Sequence, residues 1–331
     1  MDSRVARALP APACLRHRPL RHTPEQALNI RTTALILLAA AAQLGAQASR
    51  AVRVVDDAGI TVRLPHPARR IVSLIPSATE TLIALGAAAQ VVGRTDYDVA
   101  PEVARVASVG GGIDPSVEAI VALRPDVVVA WDQNRRLRTH EKLMALGIPV
   151  VSLRTEDTSD VFRDIAQLGA ISGHAARARS IADSIRADFR AVARSVVAAP
   201  HPVVFFVLFD EPPMTASPAT FVGQLITLAG GRLAFPEDGP HWPTVSMESL
   251  VQRAPDVIVL PKGEKGVITL EKLRQMPGWR DLAAVREGRV VTVPANLVNR
   301  PGPRLGDAAR ALRDAIQSPA VQRVVLARGH Q

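Results

Sequence analysis

Large aromatic residues are scarce in this chain of 331 residues, so their positions carry information. Tyr97 follows a short apolar run, Trp131 closes the valine-rich run DVVVAW, and Trp242 lies in the loop GPHWP. Ligands of open parallel sheets bind outside the carboxyl ends of the strands, so three scarce, flat side chains in such places indicate one shared cleft, with ordinary packing as the alternative. Arg300, in NRPGPR, adds a guanidinium that can donate to amides or carboxylates. These four residues predict a ligand cleft, whereas Trp279 is assigned to packing.

The motifs of common enzyme classes are absent from the sequence. There is no GxGxxG, GxxxxGK[ST] or GxSxG, and the histidines have no HxH or HExxH spacing of a zinc site. Asp210 and Glu211 are adjacent, and adjacency alone does not make an acid–base pair. The sequence therefore favours a binding protein, not an enzyme, with no cofactor or metal of its own.

An internal repeat appears at an offset of 130 residues, with SVEAIVALRPDVVVAW from Ser116 and SMESLVQRAPDVIVLP from Ser246. Each copy predicts a helix capped by its serine, followed by Pro-Asp and a strand. Glu118 and Glu248 fall in the first helical turn, where the helix dipole favours an acid by about 0.3–1 kcal/mol. The two acids are therefore helix-start residues or a matched functional pair. The repeat itself predicts two similar lobes.

Short apolar runs alternate with helical patterns, which is typical of parallel sheets covered by helices on both faces. The predicted strands are Arg70–Ile75, Val91–Arg94, Asp126–Trp131, Pro149–Leu153, Pro202–Phe209, Asp256–Pro261 and Arg289–Pro294. One long amphipathic helix is predicted from about His174 to Pro200. We therefore predict an α/β fold of two similar lobes with parallel-type sheets flanked by helices. One long helix joins the lobes, and the ligand cleft lies between them.

The first 48 residues carry six arginines, the apolar run ALILLAAAA and then Ala46-Gln47-Ala48, as in a cleaved secretory signal peptide. A membrane anchor is the alternative, but it needs about 18 or more apolar residues. Cleavage after Ala48 leaves 34 of 40 basic and 29 of 31 acidic side chains, a net charge of +5, and removes Cys14. That charge is too mild to indicate nucleic-acid binding. We predict a periplasmic monomer with a signal peptide (1–48), an N-terminal lobe (49–158), a helical connector (159–199) and a C-terminal lobe (200–331).

Several blocks resemble the periplasmic solute-binding proteins of ABC importers whose two lobes are joined by one rigid helix. They are IPSATETLIALG, IVALRPDVVVAW, PPMT, HWPTVS and RPGPR, and the resemblance spans about Arg70 to Ile316. Members of this family carry cobalamin, siderophores or haem, and the blocks look nearest to the cobalamin-binding members. By this resemblance the ligand contacts fall on Tyr97, Trp131, Leu208, Trp242, Asn296, Leu297, Val298, Asn299 and Arg300.

The same resemblance gives the repeat a role. Glu118 and Glu248 match acids, one at the tip of each lobe, that engage arginines of the two permease subunits in the family. A permease with two-fold symmetry requires a docking face that is itself pseudo-two-fold, and complementary charges fix its register. The resemblance therefore implies an extracytoplasmic receptor that binds cobalamin or a related corrinoid and delivers it to an ABC permease dimer.

Some positions depart from the family pattern. Gly112 and Leu208 replace aromatic residues, and Asn296 replaces an acid. Ala229 and Arg313 stand in place of a cysteine pair. Fewer rings leave less stacking surface, so a ferric siderophore or haem is the alternative ligand. From another class of protein, the alternative is an exported two-lobed α/β enzyme.

Arg304, the second arginine of NRPGPR, is assigned to the solvated surface.

Overall fold

The computed structural model describes residues 51–133, 138–237, 239–263 and 268–328. The predicted signal peptide, with its cleavage site after Ala48, lies outside these residues. Within the described ranges, no helix combines the length and the apolar character needed to cross a bilayer.

The N-terminal half builds one parallel sheet preceded by a small hairpin. Its strands are β1 (Val52–Val55), β2 (Thr61–Leu64), β3 (Ile71–Ser73), β4 (Val91–Arg94), β5 (Ala107–Ser108), β6 (Val127–Trp131) and β7 (Val150–Leu153). Strands β1 and β2 pair antiparallel, and the others lie parallel in the order β5-β4-β3-β6-β7. The order reverses between β3 and β6. Ligands of such sheets bind outside the carboxyl ends of the strands at this kind of switch point.

The C-terminal half repeats this plan with a smaller sheet. Its strands are β8 (Val203–Phe206), β9 (Phe209–Asp210), β10 (Pro213–Met214), β11 (Arg232–Leu233), β12 (Val257–Lys262) and β13 (Val290–Pro294). Four of them lie parallel in the order β11-β8-β12-β13, while β9 and β10 form a short antiparallel ladder. The order reverses between β8 and β12. We call the parts of the chain that carry the two parallel sheets the N-terminal lobe and the C-terminal lobe.

Helices cover both sheets, because valine-rich strands that are apolar on both sides need cover on each face. The helices are α1 (Pro76–Ala84), α2 (Val117–Ala122), α3 (Arg138–Ala145), α4 (Thr158–Ser172), α5 (Ala175–Ser195), α6 (Phe221–Leu228), α7 (Met247–Arg253), α8 (Leu270–Gln275), α9 (Ala283–Arg286), α10 (Ala295–Val298), α11 (Leu305–Ile316) and α12 (Pro319–Arg328). Short 3-10 turns lie at Ala88–Gln90, Pro101–Val103 and Trp279–Asp281.

All seven predicted strands are present, with ends that differ from the prediction by three residues or fewer. The hairpin of β1 and β2 and the short strands β5, β9, β10 and β11 were not predicted. Runs of two to four residues are too short to show the alternation that marks a strand. Trp279 is 1% exposed in the core of the C-terminal lobe, as its assignment to packing requires.

The predicted connecting helix is α5, and it is shorter than expected. It has 21 residues and ends at Ser195, because Val196 leaves the helical backbone with φ −113° and ψ 3°. Gly173, at φ 80°, ends α4 just before it. At about 1.5 Å per residue α5 spans roughly 31 Å. Its buried face, including Ile185 and Val192, belongs to one core cluster with strands of both sheets, so the connector packs on both lobes.

The two copies of the repeat fold alike. Ser116 and Ser246 each cap a helix by accepting a hydrogen bond from the N–H three residues later, at 3.1 and 3.0 Å. Each copy then passes through the left-handed region that non-glycine residues rarely adopt. The residues are Arg124, with φ 45°, and Ala254, with φ 43°. The duplication therefore extends from the sequence to an uncommon backbone turn.

The aspartate of each Pro-Asp pair joins two strands at the switch point. Asp126 Oδ2 accepts hydrogen bonds from the N–H groups of Arg69, at 2.7 Å, and Arg70, at 3.0 Å, just before β3. Asp256 Oδ2 accepts one from Val203 N–H at 2.8 Å, at the start of β8. The repeated aspartates thus hold each central strand beside its neighbour.

Candidate ligand cleft

Two of the three predicted cleft aromatics line one cavity. Trp131 is the last residue of β6, and Trp242 lies in the loop before α7. Both border a cavity of about 240 Å³, which we call the tryptophan cavity. Trp242 packs edge-to-face on Phe221 at the start of α6, with ring centroids 6.3 Å apart. Both indoles are partly buried, so packing fixes them while part of each ring stays accessible.

The polar wall of this cavity comes from the segment that follows β7. Arg154 and Glu156 bring charges of opposite sign to it, together with Thr155. Arg154 Nη1 lies 3.9 Å from Asp132 Oδ2, and Glu156 Oε2 lies 4.0 Å from His241 Nδ1. Partly exposed pairs at these distances are weak, so the polar groups can still bond a ligand. The charged residues that line the cavity balance each other.

The loop before α2 supplies an apolar wall that sequence reasoning missed. Ile113 is 68% exposed and lines the same cavity as the two tryptophans. At the preceding position, a Cβ on Gly112 would lie 2.5 Å from the backbone oxygen of Leu74. An aromatic side chain at 112 therefore requires a different backbone path. In the sequence, the only indication of this apolar wall was the isolated isoleucine in the polar, glycine-rich segment GGIDP.

The segment between α10 and α11 (299–304), which we call the last loop, carries two arginines that meet a carboxylate not among the predicted site residues. Arg300 Nη1 lies 3.2 Å from Glu80 Oε1, and Arg304 Nη2 lies 2.9 Å from Glu80 Oε2. Arg300 also donates to Tyr97 O at 3.4 Å, and Arg304 donates to Asn296 O at 2.8 Å. The assignment of Arg304 to the solvated surface is therefore wrong, because two acceptors hold its guanidinium.

Comparison with known proteins identifies the family. Residues 71–297 match the family model described as periplasmic binding protein. The chain belongs to the periplasmic binding protein family. The family resemblance predicted from the sequence blocks is therefore confirmed.

Relatives and a solved structure agree with this family over most of the chain. YvrC of Bacillus subtilis, an uncharacterized ABC transporter substrate-binding lipoprotein, is 28% identical over 270 residues, covering 79% of this chain and 84% of that protein. A vitamin B12-binding protein of Pectobacterium carotovorum is 28% identical over 247 residues, covering 74% and 87%. A periplasmic heme-binding protein of Pseudomonas aeruginosa superposes with a TM-score of 0.68 at 26% identity, covering 76% and 94%. The predicted fold class is confirmed.

Other predicted contacts of this periplasmic binding protein lie apart from the tryptophan cavity. The side chain of Tyr97 is 64% exposed, and Asn296 and Asn299 are exposed as well. Leu208 and Leu297 are partly buried against the core. Val298 is 1% exposed. Its side chain lies in the core because α10 packs against β13 and α11, so its prediction as a ligand contact is wrong.

A second cavity of about 720 Å³ is lined by α5 and by residues of both lobes, including Glu80, Asn296 and Arg304. Many of its charged groups already pair within the protein, as Arg310 does with both Asp188 and Asp307. Among the described residues that line it, none is aromatic. The described part of the chain also holds no group of three His, Cys, Asp or Glu side chains placed to bind a metal ion.

One buried carboxyl lies between the lobes. Asp164 of α4 accepts a hydrogen bond from Thr155 Oγ1 at 2.6 Å, while its Oδ1 has no partner among the described residues. It lines a small cavity with Ser77 of α1 and Gly302 of the last loop. Burial raises the pKa of Asp164 to about 7; the charge of Asp57 adds to this rise, and the Thr155 hydrogen bond opposes it.

The two acids of the repeat occupy matched positions on the surface. Glu118 and Glu248 are exposed in the first turns of α2 and α7. Three residues later each helix carries an exposed valine, Val121 at 37% and Val251 at 42%. Residues three apart lie on the same face of a helix. Each lobe therefore presents an acid beside an apolar side chain.

Proposed function

We propose that this periplasmic binding protein is the extracytoplasmic ligand-binding component of an ABC importer. Its ligand is cobalamin or a related corrinoid, which it delivers to the permease without chemical change. The observation that carries the ligand assignment is the cavity lined by Trp131, at the end of β6 in the N-terminal lobe, and Trp242, in the loop before α7 in the C-terminal lobe. Names of relatives support the class, since one is an ABC transporter substrate-binding lipoprotein and another a vitamin B12-binding protein. The protein is not an enzyme in this proposal.

The tryptophan cavity suits part of a macrocycle. Pockets that bury small ligands measure about 300–1,000 Å³. The cavity of about 240 Å³ therefore holds one edge of the ring, against Trp131, Trp242 and Ile113. The remainder extends toward the exposed Tyr97, α10 and the last loop, where Asn299, Arg300 and Asn296, which also borders the larger cavity, bond its amides. Leu208 and Leu297, both partly buried against the core, add apolar contacts to the ligand.

We assign the ligand to this cavity and not to the larger one for a chemical reason. Most of the charged groups that line the larger cavity already pair within the protein, and its described lining lacks a ring for stacking. A planar chelate gains most from apolar, flat walls, which the smaller cavity provides. Haem or a ferric siderophore is the second candidate, since a heme-binding protein is a structural neighbour.

Export and domain organisation belong to the same proposal. Residues 1–48 act as a cleaved signal peptide that brings the protein to the periplasm as a monomer. The N-terminal lobe comprises 49–158, the connector 159–199 and the C-terminal lobe 200–331. The start of α4 at Thr158 and the start of β8 at Val203 support these divisions.

We also propose that Glu118 and Glu248 dock the protein onto the permease dimer. A two-fold partner contacts two equivalent surfaces, and the matched acid and valine on α2 and α7 provide them. Charge complementarity steers the encounter and sets the register, while the exposed Val121 and Val251 add apolar contact. The partner therefore presents a basic residue next to an apolar one on each subunit.

Calorimetric titration of the chain from residue 49 tests the ligand assignment. We expect cyanocobalamin to bind with a dissociation constant of about 1 µM or tighter, close to −8 kcal/mol, and haemin and a ferric siderophore to bind more weakly. Absence of cyanocobalamin binding at tens of micromolar overturns the corrinoid assignment. Tight binding of haemin instead favours the second candidate.

A further inference from the structure

One charged contact between the lobes is the cluster of Glu80 with Arg300 and Arg304. Glu80 lies on α1 of the N-terminal lobe, while both arginines lie on the last loop of the C-terminal lobe. One carboxylate oxygen faces each guanidinium, at 3.2 and 2.9 Å. Glu80 and Arg300 are both only 18% exposed, so solvent screens this pair less than a surface pair.

The charges of this cluster do not cancel. Two guanidinium groups share one carboxylate, which leaves a single net positive charge where the last loop meets α1. Without Glu80 the same loop would present two. Because partly buried charges act over several ångströms, this difference of one charge changes the electrostatic potential at any ligand group that Arg300 contacts.

We infer that Glu80 sets the charge preference of the ligand site, so that the cleft selects a chelate with neutral amide side chains over one with carboxylates. This inference rests on the proposed function, in which Arg300 faces the ligand. Glu80 acts through the two arginines and is a specificity-determining residue that does not itself need to touch the ligand. Arg154 and Glu156, the two charged residues that line the tryptophan cavity, have opposite signs and add no net charge to it.

Two variants with opposite effects test the inference. Glu80→Gln keeps the shape and one acceptor but removes the negative charge, and Arg304→Gln removes a positive charge from the same cluster. The probes are cyanocobalamin, whose peripheral groups on the ring are largely amides, and haemin, which carries two propionates. We expect Glu80→Gln to raise the haemin to cyanocobalamin affinity ratio about tenfold. Arg304→Gln should lower the same ratio.

Glu102→Gln is the matched control, because Glu102 lines the larger cavity with Glu80 and is more exposed. Its affinity ratio should stay within about twofold of wild type. The shift caused by Glu80→Gln should shrink as salt is raised from 50 to 500 mM, since screening weakens charge effects and leaves a purely structural defect unchanged.

The outcomes separate two failures. If wild type binds either probe and Glu80→Gln weakens both in parallel, Glu80 is only a structural contact and the inference is overturned. If wild type binds neither probe, the proposed function fails and the inference fails with it. A Glu80→Gln protein that does not fold leaves Arg304→Gln to decide, because an unchanged ratio in that variant also overturns the inference.

Discussion

The two copies of the repeat agree in everything that builds the lobes and differ where a ligand would bind. Both have a serine cap, an exposed acid, an exposed valine and a left-handed residue at the helix end. They part at the strand ends, where the N-terminal copy closes on Trp131 and the C-terminal copy has Pro261. The second indole of the cavity, Trp242, comes from the loop before the repeat begins.

This difference separates two kinds of constraint. A surface that meets a symmetric partner must stay the same in both lobes, whereas an asymmetric ligand requires different walls from each. The repeated positions therefore belong to scaffold and docking. The positions that break the repeat belong to recognition, and each class can be tested by its own substitutions.

The largest expected effect comes from removing the shared acids. Glu118→Ala combined with Glu248→Ala should abolish uptake in a reconstituted transporter, because both docking charges are lost. Ligand affinity in calorimetry should change less than about twofold, since neither residue lines the cavity. Each single variant should retain partial uptake.

A matched control exists for this double variant. Glu141 and Glu271 are also exposed first-turn acids, one in each lobe, on α3 and α8. Glu141→Ala with Glu271→Ala likewise removes an acid from the first turn of a helix in each lobe, where the helix dipole favours a negative charge, and should leave uptake intact. Equal loss of uptake in both double variants would mean that Glu118 and Glu248 are only helix-start acids.

The next effect concerns the residues that break the repeat. Trp131→Ala and Trp242→Ala should each weaken cyanocobalamin binding about 10- to 100-fold, as expected for buried aromatic anchors. Pro261→Trp places an indole at the equivalent position of the second copy and should gain less than about twofold, because Pro261 does not line the cavity. A large gain from Pro261→Trp in calorimetry would contradict the asymmetry of recognition.

The last comparison concerns stability and leaves recognition unchanged, and it contrasts two buried acids. Asp256, in the second copy, accepts a hydrogen bond from Val203 N–H, whereas Asp164 of α4 keeps Oδ1 without a partner among the described residues. Asp256→Ala should lower the free energy of unfolding by about 1–3 kcal/mol. At pH values above neutral, Asp164→Asn should raise the free energy of unfolding. Urea unfolding at pH 4 and pH 8 measures both.

The sign for Asp164 follows from proton linkage. Burial raises its pKa from 3.8 to about 7, so the folded protein holds a proton that the unfolded chain has lost between these values. Stability therefore falls as pH rises through this window, and the loss is complete above it. Asp164→Asn removes this loss and should gain up to about 4 kcal/mol at pH 8, with little gain at pH 4. Equal gains at both pH values would contradict a titrating Asp164.

Particular residues show how far the sequence predicted the site. Trp131 and Trp242 were predicted as cleft residues from their scarcity and from their positions, one at a strand end and one in the loop before the second repeat, and they do line one cavity. Ile113 was missed because a single isoleucine in a glycine-rich loop carries no periodic signal. Arg304 was wrongly assigned to the surface, since its partner Glu80 lies 224 residues away in the chain. Contacts of that separation leave no trace in local spacing.

The sequence by itself determined the two-lobed α/β plan, the connecting helix and the serine-capped repeat, because these follow from local periodicity and short motifs. Only the tertiary structure decided that Glu80 holds both arginines of the last loop, that Val298 faces the core and that Ile113 faces the cavity. The physical reason is that hydrogen bonding within an element is local, whereas charge pairing and cavity walls depend on chain segments brought together by folding.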